Sequence, residues 1–132
     1  MASSFSKRVE EAQKEVGTVS VAEAKETMDS NPKALVIDVR DAADTKGTGV
    51  IPGAANISLG TLFYKADHEM PEAVRDARLE DKDTPILVAC AKGGQASVAG
   101  KVLKDYGYSN VKVIEGGTLA WKEAGHETED VK

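Results

Sequence analysis

Three short apolar runs, separated by stretches with helical periodicity, constrain the fold of this chain most strongly. The runs lie at 35–38, 84–89 and 111–114, and a shorter candidate strand lies at Asn56-Ile57. Because the three runs are apolar at nearly every position rather than at alternate ones, they predict strands that are buried on both faces. Buried strands that alternate with helices form a parallel sheet covered on both sides. The pattern therefore predicts an α/β fold with a largely parallel sheet and helices on both faces.

Helical signals lie between these runs. An apolar stripe with helical spacing predicts a first helix over residues 4–16, which ends at Gly17. Ser20 and Glu23 have the spacing of a capping box, which predicts a second helix to about Asp29. Apolar faces predict further helices at 59–66, at 70–79, along 98–106 and around 119–121.

The length of 132 residues is that of one domain with short extensions. We divide the chain into an N-terminal helical extension at 1–17, a main domain at 18–125 and a polar C-terminal tail at 126–132. The tail is expected to be frayed, because polar chain ends rarely pack against the rest of a domain.

Charge and hydropathy exclude several classes of partner. The net charge of −5 argues against a nucleic-acid binder, which needs a basic face. The longest apolar run, Ile86 to Ala91, is far shorter than the ~20 residues that span a bilayer. The N-terminus lacks the apolar region of a signal peptide. We therefore expect a cytoplasmic protein with neither a membrane nor a nucleic acid as its partner.

The chain has one cysteine, Cys90, which excludes an internal disulfide and a cysteine-rich zinc site. The two histidines, His68 and His126, have no partner at metal-ligand spacing. We therefore expect no bound metal. The cysteine is either a buried apolar residue or a reactive thiol.

The position of Cys90 favours a reactive thiol. It follows a buried strand and precedes the segment Ala91-Lys92-Gly93-Gly94-Gln95 and a helix. Ligands of open α/β sheets bind beyond the carboxyl ends of strands, so the thiol is expected to face solvent in a crevice. Free amides before the helix favour an anion, and Lys92 adds a cation. This combination suits a thiolate that attacks a sulfur or phosphorus oxyanion.

Four ordered motifs resemble those of the single-domain rhodanese family. The residues are Leu35 to Arg40 with its Asp-x-Arg ending, Gly49 to Ile57, the six-residue loop from Cys90 to Gln95, and Glu115 to Trp121 with its Gly-Gly-x-x-Ala-Trp pattern. The resemblance covers roughly residues 18–125. It implies a three-layer α/β domain with a five-stranded sheet.

The resemblance also implies a chemistry. The family transfers sulfur from thiosulfate or a similar anionic donor to cyanide, a thiol or a protein acceptor, through a cysteine persulfide, without a metal or organic cofactor. Carried onto this chain, the nucleophile is Cys90, and Ala91, Lys92, Gly93, Gly94 and Gln95 bind the substrate. Arg40 follows a neighbouring strand and is expected to reach the same pocket. Asp38 and Trp121 are expected to support the site from nearby.

The sequence leaves the roles of several predicted site residues open. Asp38 and Arg40 either form a structural ion pair or act in the site, and Gln95 either caps a helix or contacts the substrate. Val50 stands where the family often has His, and Gln95 stands at or near a position where many members have Arg. The donor is therefore not determined.

We consider three hypotheses for the function: an enzyme that uses thiosulfate, a persulfide carrier supplied by a desulfurase, and a non-catalytic binding module. Inactive members of the family usually lack the cysteine, which this chain keeps. A phosphatase of related fold is rejected, because it needs an Arg after its nucleophile to hold phosphate and no Arg follows Cys90.

Overall fold

The computed structural model describes residues 2–91 and 94–131. Within them the chain forms five helices and five strands, together with two short 3-10 helices at Ala42–Thr45 and Ala77–Leu79. In chain order the elements are α1 (Phe5–Glu15), β1 (Gly17–Val19), α2 (Val21–Ser30), β2 (Leu35–Asp38), β3 (Ala55–Asn56), α3 (Leu59–Lys65), β4 (Ile86–Ala89), α4 (Gly94–Asp105), β5 (Val111–Ile114) and α5 (Gly117–Glu123).

The five strands make one parallel sheet in the order β1-β5-β4-β2-β3. The central strands β4 and β2 pair along their whole length, from Leu35 with Ile86 to Asp38 with Ala89. Their carboxyl ends therefore lie side by side, and Asp38 is next to the residue that precedes Cys90. The predicted parallel sheet is confirmed.

Alternation along the strands divides the core between the two faces of the sheet. Ile37, Val88 and Val113 point to the face that α1, α3 and α4 cover. Val36 and Leu87 point to the opposite face, which α2 and α5 cover. Both faces are apolar because both are buried, and the predicted arrangement of helices on both faces is confirmed.

The N-terminal helix is part of this packing. α1 lies along α4, with Ala12 fully buried and Val16 packed beside Gly100. At its C-terminal end, Lys104 donates a hydrogen bond to the carbonyl oxygen of Glu15. None of the helices in the described part of the chain is long and apolar enough to cross a membrane.

Strand β1 was not predicted from the residue pattern. It has only three residues, and Gly17 and Thr18 are exposed because the strand lies at the edge of the sheet. A strand this short has no periodicity that distinguishes it from a loop. The short strand expected at Asn56-Ile57 lies one residue earlier, at Ala55–Asn56.

The helix predicted at 70–79 is wrong. This segment forms turns that end in the 3-10 helix Ala77–Leu79. Ala73 and Ala77, which share the predicted apolar face, are exposed, and Leu79 is the buried residue of the segment. Helices in proteins depend on burial of their apolar face, and here half of the predicted face is exposed.

The C-terminal tail is docked rather than frayed over residues 126–129. Val50 and Glu129 exchange two backbone hydrogen bonds of 2.8 and 2.9 Å. The Thr128 hydroxyl donates to the carbonyl oxygen of Thr48 at 2.8 Å. Trp121 donates through Nε1 to the carbonyl oxygen of Glu127 at 2.8 Å. Backbone pairing and an indole hydrogen bond therefore hold a segment whose composition is polar.

Candidate active site

Cys90 follows the last residue of β4 at the carboxyl end of the sheet. Its side chain is only 3% exposed and belongs to the core cluster on the α4 face, with Ile86 and Val88. The expectation of a solvent-facing thiol is therefore wrong in this structure. The strand alternation is the reason, because it turns position 90 toward the first turns of α4, where Ala96 and Ala99 are fully buried.

The backbone of the cysteine is fixed by the start of α5. The Thr118 amide donates to the carbonyl oxygen of Cys90 at 2.8 Å, and the Leu119 amide donates to that of Ala91 at 3.2 Å. These two amides belong to the first turn of α5, where amides have no partner within the helix. The end of β4 therefore satisfies them and is held in place by them.

Gly117 makes this close approach possible. A Cβ at this position would overlap the carbonyl oxygen of Cys90 and would lie 2.9 Å from that of Ala91. The backbone of Gly117 also has a φ of +61°, a conformation that glycine adopts without strain. Glycine is therefore required at position 117 for this contact.

Asp38 lies beneath this contact and is fully buried. Its carboxylate accepts from Arg40 through Nε at 3.0 Å and through Nη2 at 2.7 Å. It also accepts from the Thr118 hydroxyl at 3.4 Å. Asp38 thus links the end of β2 to the residue that holds Cys90.

Arg40 is 3% exposed and donates all five of its guanidinium N–H groups to protein acceptors. Besides Asp38, the acceptors are the carbonyl oxygens of Asp44 and Gly49 and the hydroxyl of Thr48. These contacts are those of a structural ion pair that braces the loop after β2. The predicted contact of Arg40 with a substrate stays a prediction.

The remaining predicted residues lie as follows. Gly94 begins α4 and Gln95 is in its first turn, half-buried. Lys92 and Gly93 lie outside the described residues, so their predicted roles stay predictions. Trp121 belongs to α5 and is 2% exposed in the core that α5 forms with α2 and the sheet. Its ring lies against that of His126, with centroids 4.5 Å apart.

Sequence reasoning gave no role to Thr118 or Asn56. Thr118 is fully buried between Asp38 and Cys90. The Asn56 amide donates to the carbonyl oxygens of Asp38 at 3.1 Å and Arg40 at 2.8 Å. The signal available in the sequence was a polar residue at the start of a helix or the end of a strand, because such a residue needs a hydrogen-bonding partner if it is buried.

The fold and this edge of the sheet define a class of protein. It is an α/β protein with one cysteine between a buried strand and a helix, and the described residues contain no group of side chains that could hold a metal ion. A family model for the rhodanese-like domain matches residues 20–124. The chain belongs to the rhodanese-like domain family.

Named relatives agree with this assignment. The chain is 33% identical over 89 residues to the thiosulfate sulfurtransferase GlpE of Pseudomonas entomophila, covering 67% of this chain and 71% of that protein. It is 30% identical over 96 residues to the rhodanese domain-containing protein CG4456 of Drosophila melanogaster, covering 71% of this chain and 86% of that protein. Relatives of this chain therefore include sulfurtransferases.

A solved structure extends the likeness over the N-terminal helix. The protein of unknown function RPA3614 from Rhodopseudomonas palustris, described as a possible tyrosine phosphatase, superposes with a TM-score of 0.88 at 27% identity. The match covers 98% of this chain and 96% of that one. The docked α1 is therefore shared with a known structure.

Proposed function

We propose that the protein is a sulfurtransferase that carries sulfane sulfur as a persulfide on Cys90. One observation carries the proposal: Cys90 directly follows β4 at the carboxyl end of the sheet, with its carbonyl oxygen hydrogen-bonded to the Thr118 amide and its side chain turned toward the start of α4. A sulfur anion formed there lies near the amides that begin a helix, which favour negative charge. The likeness to a thiosulfate sulfurtransferase supports the same chemistry.

The first step is a displacement at sulfur. The Cys90 thiolate attacks the outer sulfur of thiosulfate, a sulfur–sulfur bond forms, and the bond to the sulfonate breaks. The electron pair of the broken bond leaves with sulfite. The reactants are the Cys90 thiolate and thiosulfate, and the products are the Cys90 persulfide anion and sulfite. In this proposal Lys92 stabilises the sulfonate end, and the amides of the segment from Ala91 to Gln95 hold the persulfide.

The second step returns the thiolate. A nucleophile such as cyanide or a thiolate attacks the outer sulfur of the persulfide, and Cys90 leaves as the thiolate. The chain has no second cysteine, so the persulfide cannot collapse to an internal disulfide. The sulfur must therefore leave to an outside acceptor, and ping-pong kinetics are expected.

The burial of the thiol favours a slim donor. With 3% of Cys90 exposed, a donor must reach the sulfur end-on, as a small anion such as thiosulfate can. A phosphatase reaction finds no support in the site, because the last Arg of the chain is Arg78 and Arg40 has its donors engaged. The cytoplasmic location inferred from the sequence stays a prediction.

Intact-protein mass spectrometry after exposure to thiosulfate tests the proposal. We expect an adduct with the mass of one sulfur atom, its removal by cyanide with formation of thiocyanate, and neither event in the Cys90→Ser variant. An adduct that forms only when a cysteine desulfurase supplies the sulfur would point to a persulfide carrier. No adduct from either source would contradict sulfur transfer.

The role of Lys92 is tested separately. Replacement by Gln removes the charge and keeps a polar side chain one atom shorter, so the Lys92→Gln variant is expected to raise the KM for thiosulfate severalfold. Lys46, which is exposed on the loop after β2, gives a control of the same substitution. Equal effects of the two substitutions would show that only the overall charge matters.

A further inference from the structure

Helix α1 begins at the same end of the sheet as the cysteine. α1 and α4 run side by side in the same direction, since Phe5 and Val9 lie beside Gly94, while Glu15 lies beside Lys104. Gly94 is the residue where the segment after Cys90 joins α4. The first turn of α1 is therefore part of the surroundings of the proposed active site.

Phe5 lies beside Gly94, and most of its side chain is open to solvent. Its ring atoms Cε2 and Cζ lie 3.7 Å from the position of a Cβ on Gly94, and Cγ2 of Val9 lies at 3.8 Å. The residue is nevertheless 58% exposed, the largest fraction among the exposed large apolar residues in the described part of the chain. Gly94 has no side chain that could cover the ring.

The chemistry of an aromatic ring decides which substrate this surface suits. The face of the ring carries partial negative charge, so it offers nothing to a small sulfur dianion such as the proposed donor. An apolar or aromatic group on the acceptor gains from contact with the ring and from leaving water.

We infer that Phe5 is a specificity-determining residue for the sulfur acceptor, and that it favours thiols that carry an apolar or aromatic group. This inference rests on the proposed sulfur transfer and names the second substrate of the same site. The acceptor thiolate attacks the outer sulfur of the Cys90 persulfide, its organic group lies on the exposed face of Phe5, and the products are a new persulfide and the Cys90 thiolate. The donor step does not involve the ring.

Steady-state kinetics with two acceptors test the inference. The Phe5→Ala variant is expected to raise the KM for thiophenol about 5- to 10-fold, the order expected for losing an aromatic contact. The KM values for cyanide and thiosulfate should stay unchanged. The matched control is Phe63→Ala, since Phe63 is 46% exposed on α3 and its carbonyl oxygen accepts from Tyr106, just beyond the far end of α4.

The outcomes separate this inference from the proposed function. A wild-type protein that forms no persulfide overturns both. A wild-type protein that transfers sulfur, with a Phe5→Ala variant that keeps its KM for thiophenol, overturns only the role of Phe5. Equal losses with thiophenol and cyanide also overturn it, because they would show that the ring only positions the segment before α4. The Phe5→Leu variant, which keeps an apolar side chain without the ring, should lie between Phe5→Ala and the wild type.

Discussion

The guanidinium of Arg40 binds the carboxylate of Asp38 through two parallel hydrogen bonds, Nε to Oδ1 at 3.0 Å and Nη2 to Oδ2 at 2.7 Å. Both side chains are almost fully buried, with 4% and 1% of their surface exposed. A buried pair of this kind depends on both partners, because either charge alone lacks compensation. Since Asp38 also contacts Thr118, the pair connects the loop after β2 to the residue that holds Cys90.

The Asp38→Asn variant is expected to lose roughly 3–5 kcal/mol of the free energy of unfolding, because it leaves the Arg40 charge buried without its counter-charge. Urea denaturation measures the loss. The control is Asp29→Asn, since Asp29 forms an ion pair with Lys25 on the surface, with its side chain 64% exposed. Exposed pairs contribute ~0–1 kcal/mol, so equal losses in the two variants would contradict the bracing role of Asp38.

The sequence predicted the central part of this arrangement. Strands β2 and β4 are apolar at both faces and end at Asp38 and Ala89, so their parallel pairing and common carboxyl edge followed from the pattern alone. The position of Cys90 at that edge followed with them. These features are local in the sequence and periodic, and for that reason they could be predicted.

Other features depend on contacts between residues distant in the chain. The three-residue strand β1 exists because it pairs with β5, and its own sequence carries no strand pattern. The burial of Cys90 depends on how α4 returns over β4, and the contact of Thr118 with Asp38 spans 80 residues. The tail pairs with Val50 through backbone groups that every sequence has. Composition and periodicity do not report such contacts.

Gly117 gives a sharp test of the contact between α5 and the cysteine. In the Gly117→Ala variant the new methyl group overlaps the carbonyl oxygen of Cys90, so α5 and the end of β4 must move apart. We expect lower stability and a persulfide formation rate reduced by about tenfold or more, as for other small displacements of reacting groups. Mass spectrometry of the thiosulfate adduct over time measures the rate.

The control for this variant is Gly125→Ala. Gly125 also has a positive φ, of +92°, but a Cβ there meets nothing within 4 Å. It therefore reports the backbone strain alone, which costs about 1–2 kcal/mol. An unchanged rate of persulfide formation in Gly117→Ala would show that the position of Cys90 does not depend on α5.

We predict that the protein loses stability at high pH because Tyr108 ionises. Burial raises the pKa of its phenol to about 12, with Glu80 adding to the shift. The hydroxyl donates to the carbonyl oxygen of Leu79 at 2.6 Å. Because the folded protein keeps the proton to higher pH than the unfolded chain does, the contribution of Tyr108 is complete below the ordinary pKa of about 10. It is lost as the pH rises toward 12.

The Tyr108→Phe variant should be less stable than the wild type at pH 8, by about 1 kcal/mol for the lost hydrogen bond. The difference between the two proteins should shrink between about pH 10 and pH 12, because only the wild type loses this contribution there. Urea denaturation across that range measures it, and Tyr64→Phe is the control, since Tyr64 is 41% exposed on α3. A difference that stays constant with pH would contradict the assignment.

We predict that truncation of the docked tail lowers the free energy of unfolding. Removal of residues 126–132 takes away the backbone partner of Val50 and the acceptor of the Trp121 indole, and uncovers a ring that is 2% exposed. We expect a loss of roughly 2 kcal/mol or more in the free energy of unfolding, from the exposure of Trp121 and an unpaired N–H group. Removal of only 130–132 keeps these contacts and is the control. Hydrogen exchange at the Val50 amide gives a second measurement, since its hydrogen bond to Glu129 predicts slow exchange that speeds up in the longer truncation alone. Fast exchange of this amide in the chain without truncation would contradict a docked tail.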